Sequence, residues 1–203
     1  FLNGTDQLES NNAISGINRP VDSLLTTLNN GKNRYNNISF NVNNTFNIDT
    51  SGRKLVAEID VSRFNDKTTH YYDNYFYNAA GNVLRDPEFI LNDMPSVIDI
   101  QTAKIDYTHP FSKVSKLELG AKYGSVKSDN DMAFLLRNND NWNNDAGRSN
   151  HFIYTERVTA AYAIYNHQLN NTEVKVGLRM EHTYSDGNSI TMNTRNKRDY
   201  FNL

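Results

Sequence analysis

The sequence predicts an all-β chain, an antiparallel up-and-down set of about six to seven transmembrane strands that forms part of a larger β-barrel. Three observations predict it. Apolar and polar residues alternate with a period of two through much of the chain, which puts successive side chains on opposite faces of a strand. The alternating runs reach roughly the 9–11 residues that a tilted strand needs to cross a bilayer, where strands of soluble proteins usually have about 5–6. Short connections also alternate with long polar ones, as in a barrel with short periplasmic turns and longer extracellular loops.

The expected strands follow in order. The first, about 35–49, sets Ile38, Phe40, Val42, Phe46 and Ile48 on one side, with Asn44 as a polar intruder. Ser39, Asn41, Asn43, Thr45 and Asn47 take the other side. A turn at Asp49-Thr50-Ser51-Gly52-Arg53 leads into about 54–64, where Leu55, Ala57, Ile59 and Val61 oppose Glu58, Asp60 and Ser62. In about 98–108, Ala103, Ile105 and Tyr107 alternate with Lys104 and Asp106. After a turn around Pro110, about 116–127 sets Leu117, Leu119, Ala121 and Tyr123 against Glu118, Gly120 and Lys122. In about 152–165, Val158, Ala160, Tyr162 and Ile164 alternate with Thr159, Ala161 and Ala163.

The cleanest case is about 172–184. Val174, Val176, Leu178 and Met180 are apolar, while Glu173, Lys175, Gly177, Arg179, Glu181 and Thr183 hold the other parity. A last strand starts near Arg198, about 198–203. The whole chain, 1–203, is expected to be one barrel segment. The long polar segments near 65–96, 127–150 and 185–197 are expected as extracellular loops. Tyr107, Phe111, Tyr123 and Tyr165 fall near strand ends, where interfacial aromatic girdles sit.

Composition narrows the function classes. The 203 residues carry a net charge of −2, and that balance gives no support to nucleic-acid binding. There is no cysteine, which excludes disulfides, cysteine ligands and cysteine nucleophiles. No apolar run is long enough for a transmembrane helix. Mean hydropathy is −0.71, but a membrane barrel hides its lipid face by alternation, so the mean says little. The chain begins at Phe1 without a leader pattern and is read as an internal or mature segment.

The segment Gly177-Leu178-Arg179-Met180-Glu181-His182-Thr183 resembles a strand of the outer membrane protein β-barrel family related to TonB-dependent receptors. The segments 104–111 and 117–123, Tyr154-Thr155-Glu156 with Ala160-Ala161-Tyr162, and Asp199-Tyr200-Phe201-Asn202-Leu203 are similar to that family too. The resemblance runs from about Tyr35 to the end. It implies a large barrel of roughly 22 strands with a plug, located in the bacterial outer membrane and taking up a solute. Its partners would be outer-membrane lipid, a plug domain and the TonB system, with the solute unknown. The rival reading is a soluble or secreted all-β binding or adhesin-like module.

Candidate site residues follow from parity. Glu58, Asp60, Lys104, Asp106, Glu118, Lys122, Lys175, Arg179 and Glu181 are expected to face the lumen. There they contact a plug or solute, or simply pair with opposite charges on neighbouring strands. Gly120 and Gly177 share that parity and mark a bend or a close approach of another backbone. Tyr71, Tyr72, Tyr75, Tyr77 and Trp142 are candidates for extracellular ligand contact, with Phe76 beside them. Their alternative is cross-strand packing in a hairpin that rises above the membrane. Glu156 and Glu181 are expected to pair with Arg157 or Arg179. Asp129-Asn130-Asp131 clusters oxygens but lacks the glycine and bidentate glutamate of an EF-hand loop. His70, His109, His151, His167 and His182 have no metal-binding spacing. No nucleophile elbow, P-loop or dinucleotide fingerprint occurs, so neither an enzyme nor a cofactor is expected.

Overall fold

The computed structural model describes residues 2–203, and among them it contains nine strands and no helix. They are β1 (Leu2–Ser15), β2 (Val21–Asn47), β3 (Lys54–Asn78), β4 (Val83–Pro110), β5 (Ser115–Asn138), β6 (Asn141–Asn144), β7 (Asn150–Leu169), β8 (Thr172–Ser189) and β9 (Thr194–Asn202). They form a single sheet in the order β1-β2-β3-β4-β5-β7-β8-β9, with β6 folded back on the end of β5. Every pairing is antiparallel. Consecutive strands joined by tight turns can pair only this way.

The turns are built from side chains that replace missing backbone partners. Asp49 Oδ1 accepts from the Ser51 and Arg53 amides at 3.0 and 3.2 Å, while Gly52 takes φ 92°. Asn78 Oδ1 accepts from the Ala80 and Asn82 amides at 3.0 and 2.9 Å, with Gly81 at φ 83°. Asp145 Oδ1 accepts from the Gly147 amide at 2.9 Å. Asn and Asp are the residues whose short polar side chains close such turns, which accounts for their abundance here.

The strand count and the loops differ from the sequence expectation. There are nine strands rather than six or seven, because residues 2–34, which lack hydrophobic alternation, form β1 and half of β2, and the short β6 lies within a segment expected as a loop. The segments expected as long loops are continuations of strands: β3 runs on to Asn78, β4 starts at Val83, β5 reaches Asn138 and β8 reaches Ser189. Alternation stops where lipid stops, but pairing does not. Beyond the membrane both faces of a hairpin are wet, and polar pairs replace apolar ones. Thr27 Oγ1 bonds Asn74 at 2.7 Å, Thr69 Oγ1 bonds Asp93 at 2.6 Å, and Ser96 Oγ bonds Asn130 at 2.7 Å. From Phe64 to Asn78 the extension of β3 runs roughly 45 Å along the strand at about 3.3 Å per residue. The two ends of the sheet therefore differ in strand height, not in loop length.

Register settles which residues share a face, because directly paired residues of an antiparallel sheet point the same way. One row reads Phe46–Leu55–Tyr107–Leu119–Ala163–Leu178, and a second reads Val42–Ile59–Ala103–Tyr123–Thr159–His182–Phe201. This face is apolar and bare: Phe40 is 64% exposed and Leu178 70%. Ala160, at 3%, is the one buried apolar residue among the described residues. In water each such large side chain forgoes about 1.5–3 kcal/mol of burial; in lipid that deficit vanishes. A soluble module would need a second layer over this face, and the described residues supply none.

The buried residues of the strands are Gly31, Asn74, Ala160, Asn166, Thr183 and Ser189, and register puts all of them on the opposite face. Side chains crowd on the inside of a curved sheet and splay on the outside. The polar face is thus concave and the apolar face convex, as a barrel wall requires. At the end with the three tight turns between β2/β3, β4/β5 and β7/β8, rings line up along the convex face. Tyr107–His109, His109–Phe111, Phe111–Tyr165 and Tyr165–His167 have centroids 6.0, 4.9, 6.5 and 6.2 Å apart. This is an aromatic girdle at one edge of the apolar band.

β7 takes its orientation from its neighbours. Its bulkier set, Val158, Ala160, Tyr162 and Ile164, pairs with Thr183, Glu181, Arg179 and Gly177 and lies on the concave face. Thr159, Ala161 and Ala163 meet His182, Met180 and Leu178 and face outward. Neither set carries a charge, so the pattern of β7 alone carries no direction; the strongly amphipathic β8 imposes it through register.

Candidate functional site

The concave face at the depth of the apolar band brings together the nine residues expected to face a lumen. Glu58, Lys104, Lys122 and Glu181 share one row with Asn43 and Ala160. Asp106 and Arg179 share the adjacent row, which runs Val56–Asp106–Gly120–Tyr162–Arg179. Asp60 lies one row further from the tight turns, and Glu118 and Lys175 lie nearer to them.

Most of these charges are answered locally. Lys104 Nζ meets Asp106 at 2.6 Å, Lys116 meets Glu118 at 2.6 Å, and Arg179 meets Glu181 at 2.8 Å. Lys175 lies 3.4 Å from Glu173. Asp60 accepts from Asn41 and from Thr102 Oγ1, the latter at 2.9 Å, and Asn43 donates to Glu58 at 3.0 Å. Such i, i+2 and cross-strand pairs are individually weak in wet surroundings. Together they make a hydrated wall of mixed sign. Glu181 pairs with Arg179 as expected, but Glu156 instead accepts from the Tyr154 hydroxyl at 2.6 Å, because Arg157 points to the other face.

Tyr162 organises the centre of this wall. Its ring lies over Gly120 on the neighbouring strand, and its hydroxyl donates to Asp106 on the strand beyond. The Arg179 guanidinium stands 5.9 Å from its ring centroid on the other side. A Cβ at position 120 would overlap the ring. The glycine is therefore a slot for an aromatic side chain, the arrangement that covers exposed strand backbone and pins register. Gly177 opens a smaller gap beside Ile164, and a cavity of ≈ 600 Å³ opens here among Lys104, Lys122, Tyr162, Ile164 and Arg179.

Further from the tight turns apolar side chains join the polar ones on the concave face, beside Asp66, Ser96 and Asn130. Phe64 pairs with Ile98, and Ile100 pairs with Val126. Phe152 and Tyr154 continue the same face on β7, and Phe134 and Leu136 line β5. These residues are half-buried. The convex face inverts in step. It carries ion pairs Arg63–Asp99 at 3.5 Å, Lys67–Asp93 at 3.0 Å, His151–Asp129 at 2.8 Å, Asp186–Arg195 at 2.5 Å and His182–Asp199 at 2.6 Å. The Arg195 guanidinium hydrogen-bonded to Asp186 holds that carboxyl below its ordinary value. The apolar vestibule was absent from the sequence reading, although parity carried from Lys104 back to Ile100 and Ile98 would have found part of it.

The aromatic candidates do not form one cluster. Tyr71, Tyr75, Tyr77 and Trp142 take the convex parity, whereas Tyr72 lies on the concave face, stacked on His70 at 5.7 Å. Tyr71 and Trp142 meet edge-on at 6.3 Å, with Lys32 5.9 Å from the Tyr71 ring. Asp129 and Asp131 lie on the convex face and Asn130 on the concave one, so their oxygens do not converge. Among the described residues no group of three His, Cys, Asp or Glu side chains is placed to hold a metal ion.

Residues 46–203 match the family model described as "Outer membrane protein beta-barrel family". Among solved structures the chain is similar to the ferric citrate transporter FecA in its unliganded form. Identity is 13%, the TM-score is 0.42, and the match covers 89% of this chain and 32% of that one. The chain thus spans about a third of that protein's length. No curated protein matches it.

Proposed function

Because the chain belongs to the outer membrane protein β-barrel family and so to the bacterial outer membrane, we propose that it is part of the wall of a TonB-dependent-receptor-like barrel that takes up a solute too large for passive pores. The observation that carries this reading is the appearance of large apolar side chains on the concave face beyond membrane depth. At membrane depth that face is charged and internally paired, which suits a hydrated interior. Beyond it, Phe64, Ile98, Ile100, Val126, Phe152 and Tyr154 set apolar surface among polar groups such as Ser96 and Asn130, a mixed lining of the kind that retains a solute before passage. The motifs around Gly177–Thr183 and Lys104–Phe111 support the receptor-like reading within the family.

In this reading the chain performs no chemistry. The convex face anchors it in lipid, with the tight turns on the periplasmic side. The Lys104–Asp106–Tyr162–Arg179 group gives a plug a polar surface to rest on, and the TonB system acts through that plug. Tyr71 and Trp142, which meet edge-on on the convex side, make the extracellular contact in this reading.

The test is uptake. A strain lacking the intact protein is compared with its parent for accumulation of labelled iron chelates, oligosaccharides and peptides, with and without a proton uncoupler. Loss of one class, dependent on an energised membrane and restored by wild type but not by Phe64→Asp/Phe152→Asp, is expected. Unchanged accumulation of all three classes would contradict an uptake role.

A further inference from the structure

The upper boundary of the convex apolar band is uneven. The row Phe40–Val61–Gln101–Ser125–Arg157–Tyr184–Asp199 is apolar on β2 and β3 but charged on β7 and β9. The next row carries Lys127, Thr155, Asp186 and Lys197. Here the convex surface is notched by a cavity of ≈ 470 Å³. Thr155 and Thr159 form its floor, and Tyr123, Arg157, Tyr184 and Arg195 are among its walls. Small β-branched side chains between large ones leave this space.

Asp186, Asp199 and His182 also line the notch, but two cations, Arg157 in its wall and Lys127 beside it, have no carboxylate partner among the described residues. Asp186 is taken by Arg195 at 2.8 and 2.5 Å, and Asp199 by His182 at 2.6 Å. Asp129 is taken by His151 at 2.8 Å, and Asp99 lies 3.5 Å from Arg63. Lys127 and Arg157 are diagonal neighbours on β5 and β7, since Lys127 pairs with Thr155 and Arg157 with Ser125. Neither is in an ion pair among the described residues, and Lys197 sits opposite the already engaged Asp186. Below the notch, Thr159, Ala161 and Ala163 form a shallow trough between Tyr123 and Leu119 on one side and Met180 and Leu178 on the other. Cations fixed at the edge of a hydrocarbon band, with the nearby carboxylates engaged by other side chains, call for an anion from the interface.

We propose that this notch binds the phosphate-bearing headgroup of an anionic lipid, with an acyl chain lying in the trough below. Arg157 offers a planar fork for two phosphate oxygens, and Lys127 and Lys197 add charge. Tyr123 and Tyr184 frame the headgroup at the depth where tyrosines favour the interface. The inference rests on the convex face meeting lipid.

The test uses the intact protein in detergent micelles, titrated with phosphatidylglycerol or phosphatidylcholine and read by native mass spectrometry. Wild type is expected to retain phosphatidylglycerol over phosphatidylcholine, and Lys127→Gln/Arg157→Gln to lower that retention roughly tenfold. Arg63→Gln/Lys67→Gln, further along the same face, is expected to leave it unchanged. Equal retention by wild type and the Lys127/Arg157 variant overturns the proposal, and so does full displacement by millimolar inorganic phosphate, which would mark a small-anion site. Heat-modifiable migration in gels reports folding separately. If the double variant fails to fold, Arg157→Lys decides: it keeps the charge but loses the fork, so undiminished retention overturns the site. A wild type that neither enters membranes nor shifts on heating would instead remove the barrel premise.

Discussion

The Tyr162 hydroxyl donates to Asp106 across the bare Cα of Gly120, so three adjacent strands are joined by one side chain that the middle strand makes room for. Because the ring occupies the space a Cβ would need, the two positions are energetically coupled. Gly120→Ala is expected to cost about 1–3 kcal/mol by overpacking, and Tyr162→Phe about 1 kcal/mol by loss of the hydrogen bond. In a Tyr162→Ala background, Gly120→Ala should cost much less. Urea unfolding of the intact protein in micelles measures this; additive costs would mean that the ring does not sit over the glycine.

The orientation of β7 gives a test in which side-chain size and register disagree. Ala163 pairs with Leu178 on the convex face, and Ile164 with Gly177 on the concave one. Ala163→Arg should impair assembly, since arginine on the lipid face near the midplane costs about 2–4 kcal/mol. Ile164→Arg should be milder, although it removes the larger apolar side chain. The fraction of heat-modifiable protein in outer-membrane preparations decides, and the reverse ranking would invert the strand.

On β8 the same comparison is sharper, because both parities are strongly marked. Val176→Arg or Leu178→Arg should reduce assembly severely, while Lys175→Ala should change it little, its partner Glu173 being exposed. Equal tolerance of all three would contradict the assigned faces.

The tip of the β8–β9 hairpin should loosen in acid. The Arg195 guanidinium beside Asp186 holds that carboxyl below its ordinary value of 3.8. A carboxyl with a depressed folded value stabilises the fold above its unfolded value, and that contribution is lost as pH falls through the folded value. Amide exchange around residues 190–193 should therefore be steady from neutral pH down to about 4 and then quicken more than elsewhere in the sheet, after correction for intrinsic rates. Asp186→Asn should show quick exchange at every pH. A tip that becomes better protected on acidification would contradict the pairing.

What the sequence made legible was what lipid demands. Val174, Val176, Leu178 and Met180 can alternate with charges only in a strand with one face in an apolar medium, and from that run the barrel follows. The extensions were illegible for the same reason. Around Thr69, Tyr71 and Asn92 neither face needs to be apolar throughout, so period-two contrast disappears while backbone pairing continues. Ala161 and Ala163 could not be oriented from β7 itself and take their direction from β8. The charged candidates share a face, as parity implies for residues such as Lys104 and Asp106. Tyr162 escaped notice because its role depends on a glycine 42 positions away in the chain and on a carboxylate one strand further on.

The most direct test of a two-faced sheet in lipid uses the absence of cysteine. Single cysteines are placed at each position from Glu173 to Thr183 in the intact protein, and labelling by a charged, membrane-impermeant maleimide is measured in isolated outer membranes. Labelling is predicted to alternate, with positions 173, 175, 177, 179, 181 and 183 reacting and positions 174, 176, 178 and 180 protected until detergent is added. Uniform labelling along the strand, or protection of the charged parity, would contradict the account.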